Sequence, residues 1–182
     1  MTPEKNFVLP DEEIVRAIKQ NDHTAFKLLY NNYYQCLIRY ALYRIHNLEA
    51  SKELVQEVFT RVWFARNRLT PEKSIKAYLY KILHNLIINN RQLKSYNLSD
   101  IENLEHLADP SDTQSIDLAI DIQKAISSLP EKLRTAFLLS RVDGFKYNEI
   151  AEICDVSVKA VEKRLSKAFK LIKKRYLKNY FD

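Results

Sequence analysis

A run of lysines and arginines near the end of the chain is spaced for contact with an anionic surface. Lys159, Lys163 and Lys167 recur at intervals of four, so on a helix they would share one face. Nine Lys or Arg and two acidic residues fall between Ser157 and Asp182, a local charge of +7 against +6 for the whole chain. Cations concentrated in this way bind phosphates by releasing counterions. The pattern favours nucleic-acid binding, and a solvated basic helix is the plainer alternative.

The residues around this run predict two helices joined by a short turn. Asp155 tolerates the left-handed backbone of a tight turn, and Ser157 suits the position that caps the next helix. The apolar positions of both helices follow the helical period: Ile150, Ala151 and Ile153 in the first, then Val161, Leu165, Ala168 or Phe169, and Ile172. This is the pattern of a helix-turn-helix whose second helix enters a DNA major groove.

A second basic segment lies in the first half of the chain. From Arg61 to Lys94 there are eight Lys or Arg and one acidic residue, again a local charge of +7. Tyrosines and asparagines interleave with the cations, and unpaired bases need such aromatic faces together with charge for the backbone. A solubilising face with tyrosines in the core explains the segment equally well. The residues left over from its apolar stripe are Lys76, Tyr80, Lys81, His84, Asn85, Asn89, Arg91 and Lys94.

The residue types that catalysis and metal binding require are scattered along the chain. No two histidines stand at the spacing of a helical metal pair, and two distant cysteines do not make a ligand cluster. We therefore expect no catalytic residues, no metal and no cofactor, and small, buried, unpaired cysteines. The residues concerned are His23, His46, His84, His106, Cys36 and Cys154.

Composition predicts that helices position these residues. The chain has one Gly and five Pro in 182 residues, and 46% of its residues are hydrophobic. So few breakers disfavour sheets with tight hairpins and favour long helices, hence an all-α fold. The apolar periods predict helices over 11–20, 23–46, 48–69, 74–96, 117–128 and 130–142, followed by the helix-turn-helix.

An acidic stretch divides the chain into two predicted domains. Ser95 to Gln123 holds seven acidic residues and no Lys or Arg. We interpret residues 97–116 as a flexible linker between helical domains at 10–96 and 117–178. The sequence has no apolar run of 18 residues and no signal peptide, so we expect a cytoplasmic protein without stable membrane insertion.

Three stretches, in this order, resemble regions of the extracytoplasmic-function (ECF) class of bacterial RNA polymerase sigma factors. Glu53 to Trp63, with the sequence ELVQEVFTRVW, is similar to region 2.2 of that family. Ile75 to Leu86, IKAYLYKILHNL, is similar to regions 2.3 and 2.4. Leu129 to Leu139, LPEKLRTAFLL, together with Tyr147 to Leu171, is similar to region 4.

The resemblance implies a fold, a function and a set of partners. It implies a region 2-like helix bundle and a region 4-like helix-turn-helix domain. It also implies a non-enzymatic protein that binds the clamp helices of core RNA polymerase and directs transcription initiation at promoters with −10 and −35 elements. Promoter DNA and an anti-sigma factor are the other partners that the family leads us to expect.

The family's roles map onto individual positions of this chain. Polymerase binding maps to Glu53, Leu54, Gln56, Glu57 and Phe59. Recognition of the −10 element maps to a loop, Pro71, Glu72, Lys73 and Ser74, and to a helix face, Tyr78, Lys81, Asn85 and Asn89. Recognition of the −35 element maps to Ser157, Val158, Lys159, Ala160, Lys163, Arg164, Ser166 and Lys167.

The chain departs from the family's pattern at several positions. Asp155 replaces the glycine that is frequent in the turn, and Glu49 and Glu53 replace aspartates before the region 2.2 helix. Ala160 and Glu162 read few bases, so the −35 sequence stays open.

Two other classes of function compete with this interpretation. A DNA-binding regulator that never contacts polymerase would explain the C-terminal domain but leave the region 2.2 resemblance as coincidence. An α-helical hydrolase or metalloenzyme would need the residue pairings that the sequence lacks.

Overall fold

The structure, a computed structural model, describes residues 9–89 and 124–181, with side chains through Lys174. Within these ranges the chain forms helices and turns and no strands, as the all-α prediction requires. The predicted linker at 97–116 lies outside the described residues. None of the described helices has the length and apolarity needed to cross a membrane.

Over residues 9–89 the N-terminal lobe forms four α-helices. They are α1 (Asp11–Lys19), α2 (His23–Ile45), α3 (Leu48–Phe64) and α4 (Ile75–Asn89), with a 3-10 turn at Arg66–Arg68 between the last two. Their buried stripes meet in one core that includes Ile18, Leu29, Val58 and Leu83, and each such buried side chain contributes about 1.5–3 kcal/mol.

Side-chain caps decide where three of these helices begin. The Asp22 carboxylate accepts hydrogen bonds from the backbone N–H groups of Thr24 (2.7 Å) and Ala25 (3.1 Å) at the start of α2. Asn47 caps α3, and the Ser74 hydroxyl accepts from the N–H of Ala77 at 3.1 Å in α4, which confirms the predicted cap.

The C-terminal lobe begins, as described, with helical residues 124–127. It continues with α5 (Glu131–Phe137), a π-helical turn at Leu138–Val142, α6 (Tyr147–Cys154) and α7 (Val158–Phe181). Gly144 adopts a left-handed conformation with φ 74°, and this ends the π-helical turn and redirects the chain into α6.

Two predicted helix boundaries need correction. Residues 48–69 do not form one helix: α3 ends at Phe64, because the backbone tightens into the 3-10 turn before Leu69 becomes extended. Residues 130–142 likewise divide into α5 and the π-helical turn.

The two lobes pack against each other. Helix α4 contacts α6, and α2 contacts α5. We call this contact between the lobes the seam. Aromatic rings from both lobes meet there, and the ring centroids of Tyr80 and Phe145 are 4.8 Å apart. The seam sets the surroundings of both predicted DNA-binding faces.

Candidate nucleic-acid interface

The turn between α6 and α7 has the geometry that the sequence predicts. Asp155 adopts a left-handed conformation with φ 51°, and the N–H of Val156 donates to the carbonyl of Ala151 at 3.0 Å. The Ser157 hydroxyl then accepts from the N–H of Ala160 at 3.2 Å. The turn and the cap therefore fix the angle at which α7 leaves α6.

Buried side chains hold the two helices of the motif together. Ile150 in α6 and Val161 in α7 are both fully buried. The opposite side of α7 faces solvent, with exposed side chains at Ser157, Val158, Lys159, Lys163, Ser166 and Lys167. Ala160 is half-buried. Six of the eight residues predicted for the −35 element thus share an accessible surface, with Ala160 beside it.

Arg164 differs from the other residues of this set. Its side chain is half-buried. Burial raises the pKa of Cys154 and the charge of Arg164 opposes that shift; burial and Arg44 lower the pKa of His84 in α4, and the charge of Arg164 adds to that lowering. In the described arrangement the guanidinium therefore lies toward the N-terminal lobe. This position agrees better with a role in helix locking than with a phosphate contact.

The predicted −10 residues of α4 lie along one exposed line. Tyr78, Lys81, Asn85 and Asn89 are all exposed, at intervals of three and four residues. They present one aromatic ring, one cation and two amides, the groups that stacked bases and their backbone require. The sequence pattern also placed Lys76 on the polar side of α4. Its ammonium instead donates to the backbone carbonyl of Asp143 at the seam, so the exposed side of α4 carries less positive charge than the sequence suggests.

The loop before α4 continues this surface. Glu72, Lys73 and Ser74 are exposed, and Pro71 is half-buried. Glu72 forms an exposed ion pair with Arg16 at 3.6 Å, a type of contact that contributes little stability.

A cleft of about 620 Å³ separates this surface from α6. On the N-terminal side it is lined by the cationic residues Arg68, Lys73 and Lys81 and by Tyr78; on the α6 side the charged residues are Glu149 and Glu152. Carboxylates of the C-terminal lobe therefore stand across the cleft from the cations that a DNA strand would approach.

The residues of α3 predicted to bind polymerase differ in their exposure. Glu53 and Gln56 are exposed. Glu57 is half-buried, and its carboxylate accepts a hydrogen bond from the Arg61 guanidinium at 2.7 Å. Leu54 and Phe59 are only 7% and 3% exposed, because they belong to the apolar side of α3 that packs on α2. In the described arrangement these two side chains hold the helix in the lobe from inside.

The charged seam between the lobes was not predicted. The Arg44 side chain, 1% exposed, donates to the Glu131 carboxylate at 2.8 Å and to the Tyr40 hydroxyl at 2.9 Å. His84 Nδ1 lies 3.2 Å from both the Arg44 guanidinium and the Tyr40 hydroxyl. Burial, and then the positive charges of Arg44 and Arg164, lower the pKa of His84 to about 4.

A second group of contacts at the seam surrounds Asp143. Its carboxylate accepts from the Tyr80 hydroxyl at 2.8 Å and faces Arg39 at 3.4 Å. Its backbone carbonyl accepts from the Lys76 ammonium. Burial raises the pKa of Asp143, and the hydrogen bond from Tyr80 and the charge of Arg39 oppose that shift.

Several atoms of the seam are buried without a hydrogen-bond partner among the described residues. They are Nε of Arg39, Arg44 and Arg134, Nδ1 of His46 and Oδ2 of Asp143. A buried polar atom without a hydrogen-bond partner costs free energy. These atoms therefore reduce the stability that the other contacts of the seam give to the packed lobes.

The sequence contained one signal for this seam. Helix α2 carries apolar or aromatic residues on all of its sides, and such a helix is buried on more than one face. Tyr80 and His84, assigned above to the polar face of α4, are 0% and 6% exposed because the C-terminal lobe covers them.

The described residues contain no group of three or more His, Cys, Asp or Glu side chains placed to hold a metal ion. Cys36 and Cys154 are free thiols in the described structure that pack against the core but are half-buried, less than the predicted full burial. The accessible groups of the candidate interface are cations, amides, hydroxyls and aromatic rings, which bind by charge, hydrogen bonding and stacking.

Comparison with known protein families identifies both lobes. Residues 29–95 match the family model described as Sigma-70 region 2, and residues 119–172 match the model described as Sigma-70, region 4. The chain is 28% identical over 181 residues to a protein named ECF RNA polymerase sigma-E factor from Haemophilus influenzae, an alignment that covers 92% of this chain and 95% of that protein.

Solved structures show the same fold. One is described as CnrH in complex with the cytosolic domain of CnrY; it has a TM-score of 0.68 at 20% identity, over 94% of this chain and 99% of that one. Another is the sigma factor RpoE in complex with the anti-sigma factor NepR from Bartonella quintana, with a TM-score of 0.67 at 22% identity, over 83% of this chain and 96% of that one.

Proposed function

This chain belongs to the ECF class of the sigma-70 family, and from that premise we infer that it binds core RNA polymerase and directs initiation at promoters with −10 and −35 elements. Its contribution is binding and strand separation, without bond chemistry of its own. We assign polymerase and the −10 element to residues 10–96, the linker to 97–116 and the −35 element to 117–178.

Helix α3 is the proposed docking element for the polymerase clamp. Glu53, Gln56 and Glu57 lie on its solvent side, and Leu54 and Phe59 hold the helix in the lobe from inside. A rigid helix that presents polar side chains at fixed spacing suits a helical partner surface.

The loop at 71–74 and the exposed line of α4 are the proposed contacts for the −10 element. A base extruded from the duplex would enter the loop, and Tyr78 would stack on a neighbouring base. Lys81 would bind the strand's phosphates, and Asn85 and Asn89 would donate to base edges or sugars.

Helix α7 is the proposed reader of the −35 element. Lys159, Lys163 and Lys167 would fix its position through phosphates and guanine edges, and Ser157 and Ser166 would add hydrogen bonds. Val158 and Ala160 offer apolar contacts for thymine methyl groups. Arg164 would keep α7 in place, with a phosphate contact open to it once the lobes separate.

Promoter binding requires the two lobes to separate. Elements at the spacing that the family implies are about 70 Å apart at 3.4 Å per base pair. A compact chain of this length has a radius of gyration of about 16 Å. The packed arrangement is therefore a state of the protein that is not engaged with both elements, and the seam must open first.

An anti-sigma factor is a further proposed partner, and the cytoplasm the proposed location. The solved RpoE relative is described in complex with the anti-sigma factor NepR. A partner that favours the packed state would keep α7 and α4 from reaching their two elements together.

The observation that carries the proposal is the pair of accessible polar faces, an aromatic and amide face with Lys81 in the N-terminal lobe and a cationic face on α7, in the order of the two sigma regions. In vitro transcription with purified core polymerase tests it. The wild-type chain should yield run-off transcripts with defined start sites from fragments of its own genome. Core polymerase alone is the control, and an absence of chain-dependent start sites would overturn the proposal.

A variant separates sigma activity from simple DNA binding. The triple substitution K159A/K163A/K167A should abolish transcripts from −35-dependent promoters while leaving the binding of core polymerase intact. Normal transcription by this variant would contradict the assigned role of α7.

A further inference from the structure

Phe64, at the end of α3, is unusually accessible. Its exposed fraction is 77%, the largest among the exposed large hydrophobic residues of the described chain, and the next is 45% at Ile88. A single exposed apolar residue is ordinary in a folded protein. The position of Phe64 on its helix therefore decides whether the exposure has a meaning.

Helical geometry places Phe64 on the same side of α3 as the proposed docking face, at its C-terminal end. It follows Glu53, Glu57 and Thr60 by eleven, seven and four residues. At about 100° per residue these separations put all three within about 40° of Phe64 around the axis. The opposite side of α3 packs into the core through the buried residues Val55, Val58 and Val62.

The last turn of α3 is fixed by the neighbouring residue. The Trp63 ring lies 4.6 Å from the His23 ring and 5.0 Å from the Phe26 ring, with the Arg66 guanidinium 4.6 Å from its centroid. Arg66 also donates to the Trp63 carbonyl at 2.9 Å. These contacts fix the position of Trp63 and of the backbone around it. Phe64 therefore has a fixed direction, about 100° from Trp63 around the helix axis.

We propose that Phe64 is the apolar anchor of the surface through which α3 docks on core RNA polymerase. The polymerase would offer an apolar pocket for the ring and a basic side chain toward Glu53. At a rise of 1.5 Å per residue the pocket and the basic group lie about 16 Å apart along the helix. The inference rests on the proposed function and adds a residue to it.

The surroundings of Phe64 are those of an interface hot spot. A central aromatic ring surrounded by polar side chains loses its water on binding while the polar rim excludes solvent. Thr60 and Arg61, one turn before Phe64, are exposed and supply the N-terminal part of this rim. The fixed backbone means that little ordering opposes binding.

The test is the affinity of the full-length chain for purified core polymerase, measured by fluorescence anisotropy of the labelled chain. Phe64→Ala should weaken binding by about 30-fold, the size typical of a hot spot. Phe64→Leu should recover most of the affinity, because leucine refills an apolar pocket. Ile88→Ala, which truncates the next most exposed hydrophobic residue on α4, is the matched control and should bind like the wild type.

The outcomes separate this inference from the proposed function. Wild-type binding with Phe64→Ala within twofold of it would overturn the anchor and leave the sigma-factor proposal standing. A wild-type chain that does not bind core polymerase would overturn both. Equal losses in Phe64→Ala and Ile88→Ala would also contradict the anchor, since no specific pocket would then be involved.

Discussion

His84 shows how burial at the seam couples one side chain to pH. Its Nδ1 accepts from the Arg44 guanidinium, which always carries its protons, so the imidazole is neutral in the described arrangement. The charged and titratable groups around it are Tyr40 and Arg44 from α2, Glu131 from α5 and Arg164 from α7. Of these only Glu131 favours its protonation.

We expect acid to weaken the native structure through His84. Its pKa is lowered from 6.5 to about 4, so its stabilising contribution is complete above pH 6.5 and is lost as the pH falls toward 4. The loss is at most about 3 kcal/mol. Urea unfolding at pH 7.5 and pH 4.5 should show a larger drop in unfolding free energy for the wild type than for His84→Asn.

The comparison with His84→Asn is needed because Asp143 acts in the opposite direction. Burial raises the pKa of Asp143, so its contribution is lost as the pH rises through that raised value. His23→Gln, at an exposed histidine, is the control variant. Parallel pH profiles for the wild type and His84→Asn would contradict the role assigned to His84.

Lys163 provides a residue-scale test of the DNA-binding face proposed for α7. Replacing it with alanine removes one exposed cation from α7 without touching the core, so stability should be unchanged. Binding of −35 duplex DNA should weaken, and the slope of log affinity against log salt should fall by about 1. Lys132→Ala, an exposed cation on α5, should change neither; an unchanged slope in Lys163→Ala would exclude a phosphate contact.

At the scale of elements, the turn of the helix-turn-helix depends on one backbone conformation. Asp155 has φ 51°, which a β-branched residue adopts only at a cost. Asp155→Val should destabilise the C-terminal lobe by about 1–2 kcal/mol and weaken −35 binding, whereas Asp155→Gly should be at least as stable as the wild type. Thermal unfolding followed by circular dichroism measures both; equal stability of the two variants would contradict the turn's role.

Local chemistry made such turns and caps predictable from the sequence. Asp155, Ser157 and Ser74 each act on atoms within four residues of themselves, so their roles follow from residue type and neighbours. The end of α3 was less predictable, because apolar residues continue through Leu69, which packs in the core from an extended backbone. Periodicity reports burial and does not distinguish a helix from a turn that returns to the core.

The exposure of residues in the candidate site was predictable where it depends on local pattern and not where it depends on distant residues. Tyr78 and Lys81 are exposed as their pattern predicts. Tyr80 and His84 are not, because their burial depends on Asp143 and Glu131, more than 45 residues further along the chain. A single sequence carries little information about which distant polar groups meet.

At the scale of the whole molecule, the packed lobes place carboxylates beside one proposed DNA-binding face and half-bury a residue of the other. Glu149 and Glu152 stand across the cleft from Lys73 and Lys81, and Arg164 is turned toward the N-terminal lobe. Weakening the seam should therefore favour the separated state and expose these groups.

The double substitution E131Q/D143A tests this expectation. It removes both carboxylates that anchor the seam, so the radius of gyration from X-ray scattering should rise. The affinity for a single-stranded oligonucleotide should rise several-fold because Glu149 and Glu152 would no longer stand opposite Lys73 and Lys81. Glu49→Gln, which removes an exposed pair with Lys52 far from the seam, is the control. An unchanged radius would show that the two carboxylates do not hold the lobes together.

The five orphaned atoms at the seam also have a consequence for the separated protein. Parting of the lobes would let water reach such atoms, and hydration would then offset part of the cost of losing the Arg44 and Asp143 contacts. The newly wetted surface carries guanidinium, imidazole, hydroxyl and carboxylate groups beside its rings, and such a surface resists self-association better than an apolar one. The protein with separated lobes should therefore remain monomeric before it binds a promoter, and it should be able to return to the packed state.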